Sequence, residues 1–147
     1  MTTILTIDIK LSGWRAGANS WAARVEVAES ITLSELHYTI LQLIEFDNDH
    51  LHHFFSGRNW RGRRVAFGEP AASPFEFNEA EEAALSKVFP LPKGHRLYYH
   101  FDFGDDWLFA ITCRPNRKQA DLAVKYPRLV EEKGHRPKQY PYQDDEG

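Results

Sequence analysis

The sequence predicts an α+β fold, a single domain with a mixed or antiparallel sheet built on β-hairpins and packed by one long and one short helix. Three observations point there. Leu5, Ile7, Ile9 and Leu11 alternate with polar residues, and Trp21, Ala23, Val25 and Val27 repeat the pattern after a Gly-rich turn. Period-two alternation marks half-buried strands, and a short connection favours antiparallel pairing. Next, Thr32-Leu33-Ser34-Glu35 has the form of a capping box, and Leu33, Leu36, Ile40, Leu43 and Ile44 follow at helical spacing. Finally, two aromatic runs flank a Gly104-Asp105-Asp106 break, as expected of a hairpin.

The central hairpin organises the rest. A three-residue loop places Leu97, Tyr99, Phe101 and Phe103 on one face with Trp107, Phe109, Ile111 and Cys113. Tyr98, His100, Asp102, Leu108, Ala110 and Thr112 fall on the other. A slip of one residue would exchange the faces, so the apolar division selects this parity. Ahead of the hairpin, the first amphipathic helix spans about four turns and ends at Asp47-Asn48-Asp49. Residues 50–55 form a strand, with residues 61–67 as its hairpin partner. Asn78 and Glu81 make a second capping-box pattern, opening a short acidic helix to about Lys87. Beyond Pro115 the pattern fades. Residues 1–115 are therefore read as the core domain and 116–147 as an extension, docked in part near Tyr126-Pro127-Arg128-Leu129-Val130, with a mobile tail.

Composition narrows the function classes. At 147 residues, 42% hydrophobic and 27% charged, the chain is of ordinary globular character. One cysteine excludes an intrachain disulfide and a Cys-only zinc site. No run of apolar residues reaches the length of a membrane span, and the N-terminus does not resemble a signal peptide, so the expected location is the cytoplasm, with no membrane partner. The net charge of −3 argues against a generally basic nucleic-acid binder. The distribution is uneven, however. Arg58, Arg61, Arg63 and Arg64 form a cluster with no acidic residue among them, and residues 114–138 hold eight Lys/Arg against three Asp/Glu. Local patches of this kind can contact phosphates weakly and without sequence preference, and a protein partner is the other possibility.

Two polar groups invite chemical readings. His50 and His52, i and i+2 on a strand, can share a face, with Asp49 nearby and His37 on the preceding helix. Asp102, Asp105 and Asp106 would complete a divalent-metal site if the hairpin lies beside them. The alternative is that the histidines fill polar gaps in the sheet and that Asp105 and Asp106 serve the turn, which Asp tolerates well. No catalytic residue is assigned. Cys113 falls on an apolar face, and nucleophile-elbow, phosphate-loop and dinucleotide motifs are missing from the sequence.

Three ordered segments carry a family resemblance: Ile31-Thr32-Leu33-Ser34-Glu35-Leu36-His37, Asp49-His50-Leu51-His52-His53-Phe54, and Phe101-Asp102-Phe103-Gly104-Asp105-Asp106-Trp107. They resemble the plasmid pRiA4b ORF-3-like family, found also as passenger proteins of IS1096-type insertion elements. Tyr126-Pro127-Arg128 is similar to that family's C-terminal motif. The resemblance implies a single α+β domain of mobile-element association, with no established reaction. Many relatives have Glu-His after the tryptophan and a Cys-rich segment after Tyr-Pro-Arg. This chain has Leu108-Phe109 and a cysteine-free stretch instead. The expectation is an accessory or binding domain without catalysis or cofactor. Its alternative is a metal-dependent hydrolase or nuclease using His50, His52, Asp105 and Asp106.

Overall fold

A computed structural model describes residues 2–17 and 20–140. Seven strands form one sheet in which every neighbouring pair is antiparallel: β1 (Thr3–Ser12), β2 (Ala22–Ala28), β3 (His52–Gly57), β4 (Arg64–Ala66), β5 (Arg96–Phe101), β6 (Trp107–Gln119) and β7 (Arg128–Lys133). The spatial order is β4-β3-β5-β6-β1-β2-β7. Helix α1 (Leu33–Ile44) and the one-turn helix α2 (Leu85–Val88) complete the α+β architecture.

Alternation in β1 and β2 sends Leu5, Ile7, Ile9, Leu11, Ala23, Val25 and Val27 to a single core. Helix α1 covers it with Leu33, Leu36, Ile40, Leu41 and Ile44, all buried. Its start is the capping box expected from the sequence. Thr32 Oγ1 accepts from Glu35 N at 3.1 Å, and Glu35 Oε1 accepts from Thr32 N at 3.1 Å. The helix ends where Glu45 turns left-handed, at φ 61°. The second capping box is also present, on Asn78 and Glu81, but it opens a 3-10 turn over Glu79–Glu82. Helix α2 then starts separately, so the predicted continuous helix is two short pieces.

The central hairpin keeps the predicted parity and changes its loop. Phe101 pairs with Trp107, Tyr99 with Phe109, and Leu97 with Ile111. The loop is therefore five residues, 102–106, closed by Asp106 N donating to Asp102 O at 2.6 Å. Asp102 and Asp106 adopt positive φ, 65° and 54°. Asp102 Oδ1 accepts from Gly104 N and Asp105 N at 3.0 and 3.1 Å, the local side-chain bonding that makes Asp suitable in turns. The longer loop removes Phe103 from the predicted core. It is 40% exposed and lies against His100.

Strand β6 continues past Pro115 to Gln119, where it pairs with Thr3 of β1. Strand β7 joins the free edge of β2, with Arg24 opposite Glu131. At its end Gly134, φ 77°, passes so close to Ser20 that a Cβ would collide with that residue's carbonyl. Gln139 and Tyr140 then dock against residues 47–50. The acidic terminus Asp144-Asp145-Glu146 and the end of the tail expected to be mobile lie outside the described residues, as does part of the β1–β2 turn.

Candidate functional site

The histidines and aspartates selected from the sequence separate into three groups. The first lies inside the core. Tyr99 projects from β5 and His37 from α1, placing the hydroxyl 2.5 Å from His37 Nδ1. His37 Nε2 is 3.1 Å from Asn48 Oδ1. Burial, then the neighbouring His52 ring, lowers the His37 pKa to about 3, against a weaker opposing effect of the Asn48 bond. Burial and the nearby Glu81 carboxylate raise the Tyr99 pKa well above its ordinary value. Both groups are therefore neutral at physiological pH: Tyr99 donates to Nδ1, and Nε2–H donates to Asn48. His52 stacks on His37 at 4.0 Å, and its Nε2 lies 2.5 Å from Glu81 Oε2. Glu81 uses its other oxygen in the capping box. All four of His37, Tyr99, His52 and Glu81 are buried.

The second group stands at the end of β3. His50 Nε2 lies 3.3 Å from Asp102 Oδ2, 3.6 Å from Asp49 Oδ1 and 2.9 Å from the Tyr140 hydroxyl. Tyr140 donates to Asp49 Oδ2, which, with partial burial, holds its phenol above the ordinary value. Gln139 secures the same loop through Asp49 Oδ1 at 2.9 Å and the backbone of Asp47. His50 and His52 thus take different carboxylate partners. Strand pairing begins only at His52, so His50 follows the path of the loop.

The turn aspartates go elsewhere. Asp106 Oδ1 lies 2.7 Å from His100 Nε2, while Arg15 contacts Asp105 through its backbone oxygen at 2.9 Å and its carboxylate at 3.8 Å. Burial lowers the His100 pKa despite Asp106 beside it. Neither aspartate joins His50 or His52. Among the described residues, no group of three or more His, Cys, Asp or Glu side chains is arranged to hold a metal ion. Burial raises the Cys113 thiol pKa, which disfavours the thiolate.

The predicted arginine cluster stands apart from these three groups and occupies the sheet face away from α1. Here Phe55, Tyr98, Leu108 and Ala110 form a small second apolar cluster with Trp60 packed on it. Trp14, in the 3-10 turn Gly13–Arg15, meets Trp60 edge to face at 5.0 Å and is 69% exposed. The Arg61 guanidinium lies 4.5 Å over both indole rings, and that of Arg64 lies 3.9 Å over Phe55. Gly13, φ 71°, permits the crossing, since a Cβ there would come within 3.2 Å of Leu108. These residues bound a cleft of about 280 Å³, with His100 and Asp106 at its side. Arg58, Arg63 and Arg64 line an adjoining depression with His95. Arginines 15, 24, 114, 117, 128 and 136 each pair with a carboxylate. Among the described residues, Arg58, Arg61, Arg63 and Arg64 have no such partner.

The sequence model of the plasmid pRiA4b ORF-3-like protein family matches residues 3–140. The chain belongs to that family. The match takes in both core capping boxes, the His50 loop, the central hairpin and β7. No curated protein matches the chain. The fold is similar to the crystal structure of a protein of unknown function, MM3350, from Methanosarcina mazei Go1, with a TM-score of 0.69 at 22% identity. That likeness covers 90% of this chain and 70% of the other and concerns the fold alone.

Sequence reasoning missed Glu81, Tyr99 and Asn48 as partners of the histidines, Tyr140 and Gln139 as the cover of His50, and Trp14 and Trp60 as the frame of Arg61. Only Trp14 carried a usable signal, a large ring in a Gly-rich turn with no alternation to bury it. Glu81, Tyr99, Tyr140 and Gln139 meet their partners across long sequence separations.

Proposed function

We propose that this family member is a non-catalytic accessory domain, carried with mobile DNA and working in the cytoplasm, that holds nucleic acid on the arginine–tryptophan cleft. The observation that carries this reading is the contrast in arginine pairing. Of the four arginines here that have no carboxylate partner among the described residues, Arg61 lies over two indole rings, Arg64 lines the same cleft, and Arg58 and Arg63 line the depression beside it, on a face that α1 does not cover. A guanidinium resting on an aromatic ring keeps its N–H edge available for phosphate oxygens, and an exposed indole offers a surface to a base. The family's name, which refers to a plasmid, supports the mobile-DNA setting.

The binding test is a titration of a labelled oligonucleotide. Weak, sequence-indifferent affinity is expected, falling steeply with salt because phosphate neutralisation releases counterions. Arg61→Ala should weaken it severalfold. Tight binding that persists near physiological salt and discriminates sequences would contradict this reading. Catalysis is tested separately by a hydrolase and nuclease screen with Mg²⁺, Mn²⁺ or Zn²⁺. Activity abolished by His50→Ala or Asp105→Ala would replace the accessory function with the metal-dependent alternative.

A further inference from the structure

We infer that the nucleic acid is single-stranded and lies across the sheet, running from the tryptophan cleft into a cationic trough over β1, β2 and β6. The inference rests on the binding function proposed above and extends it to a second patch. That patch is a depression of about 260 Å³ whose floor includes Ala22 and Ala110. Lys10, Arg96 and Arg114 stand around it. Arg114 and Arg24 both bind Asp8, at 2.8 and 3.0 Å, while Arg24 and Lys133 share Glu131 at 3.1 and 3.6 Å. The two carboxylates present are therefore each held by two cations. Lys10 and Arg96 have no carboxylate partner among the described residues, and Arg96 is the remaining arginine in that condition.

Strand pairing makes the two patches continuous. Phe55 under Arg64 pairs with Tyr98, Tyr98 with Ala110, Ala110 with Lys10, and Lys10 with Ala22. The row crosses from β3 to β2 in four inter-strand steps, roughly 19 Å. Aromatic rings lie at one end and small residues flanked by cations at the other. This is the chemistry of a base-stacking platform followed by a backbone groove. In a duplex the base faces are already stacked on one another, so an exposed indole such as Trp14 gains contact only with unpaired bases. An acidic peptide would match the cations but make no use of the Trp14 and Trp60 faces.

The experiment uses the full chain with a fluorescein-labelled 20-residue oligothymidylate, its duplex with oligoadenylate, and polyglutamate as competitor. Anisotropy is read across a salt series, with tryptophan emission recorded in parallel. The single strand should bind at least tenfold tighter than the duplex and quench Trp14 and Trp60, while buried Trp21 and Trp107 keep emitting. The double variant Lys10→Ala/Arg96→Ala removes two exposed cations, and its melting curve should match that of the parent. It should lower the log–log salt slope by about 1.4 while leaving the quench intact. An unchanged slope, with Arg61→Ala still weakening binding, would overturn the trough and leave the cleft as the site. Equal or tighter duplex binding would overturn the single-strand assignment. No oligonucleotide binding, or displacement by polyglutamate at equal charge, would overturn both this inference and the function beneath it.

Discussion

His37 and His52 on the covered face and Arg61 and Arg64 on the open face all lie against aromatic rings, yet their polar atoms meet different fates. On the covered face His37 lies between Tyr99 and Asn48, and His52 ends on Glu81. On the open face the guanidiniums rest on Trp14, Trp60 and Phe55, without a carboxylate among the described residues. Burial accounts for the difference. A buried polar group is costly unless paired, so the core selects partners for each histidine. An exposed guanidinium pays little for standing alone, so it can be kept for a ligand. The better candidate for binding is therefore the face with the less satisfied chemistry.

The comparison is broken most forcefully at Trp107, which is buried against Phe46 with the Arg15 guanidinium 4.0 Å over its ring. Trp107→Ala should cost about 3–5 kcal/mol, read from denaturant unfolding. An unchanged midpoint would show that the hairpin does not face the core as described.

Acid should expose the second difference. The His37 pKa, about 3, lies below the ordinary 6.5, so the unfolded chain takes up this proton more readily than the folded one. Stability contributed by the neutral ring is complete above pH 6.5 and is lost as pH falls towards 3. The slope should be about 1.4 kcal/mol per pH unit within that window. His100 is shifted in the same direction, so a His37→Gln variant isolates the larger contribution by flattening the curve.

A smaller loss is expected from Tyr99→Phe, which leaves His37 Nδ1 without its donor. About 1–3 kcal/mol should disappear from the unfolding free energy, with the fold retained. If the loss were negligible, the buried relay would not be a constraint on the core. The smallest effect belongs to the open face. Trp14→Ala should change stability by less than about 1 kcal/mol while reducing oligonucleotide binding and its fluorescence signal. Thermal melts beside anisotropy separate the two readouts, and a large destabilisation would move Trp14 into the structural class.

Periodicity and local capping made much of this protein legible before any tertiary contact was known. The alternation in β1, β2 and the central hairpin specified which residues enter the core, because a strand's side chains must take opposite sides. Thr32–Glu35 and Asn78–Glu81 announced helical starts because capping is bonding within four residues. The family motifs were equally local. Loop length escaped, since moving the hairpin register by two residues preserves every facing while taking Phe103 out of the core. The pairing of His52 with Glu81, of His50 with Asp102 and Tyr140, and of Arg61 with Trp14 was a tertiary decision. These partners come together through the sheet order β4-β3-β5-β6-β1-β2-β7 and the loops it positions. Residues far apart in the chain become neighbours there, and no one-dimensional pattern records which buried groups must satisfy one another.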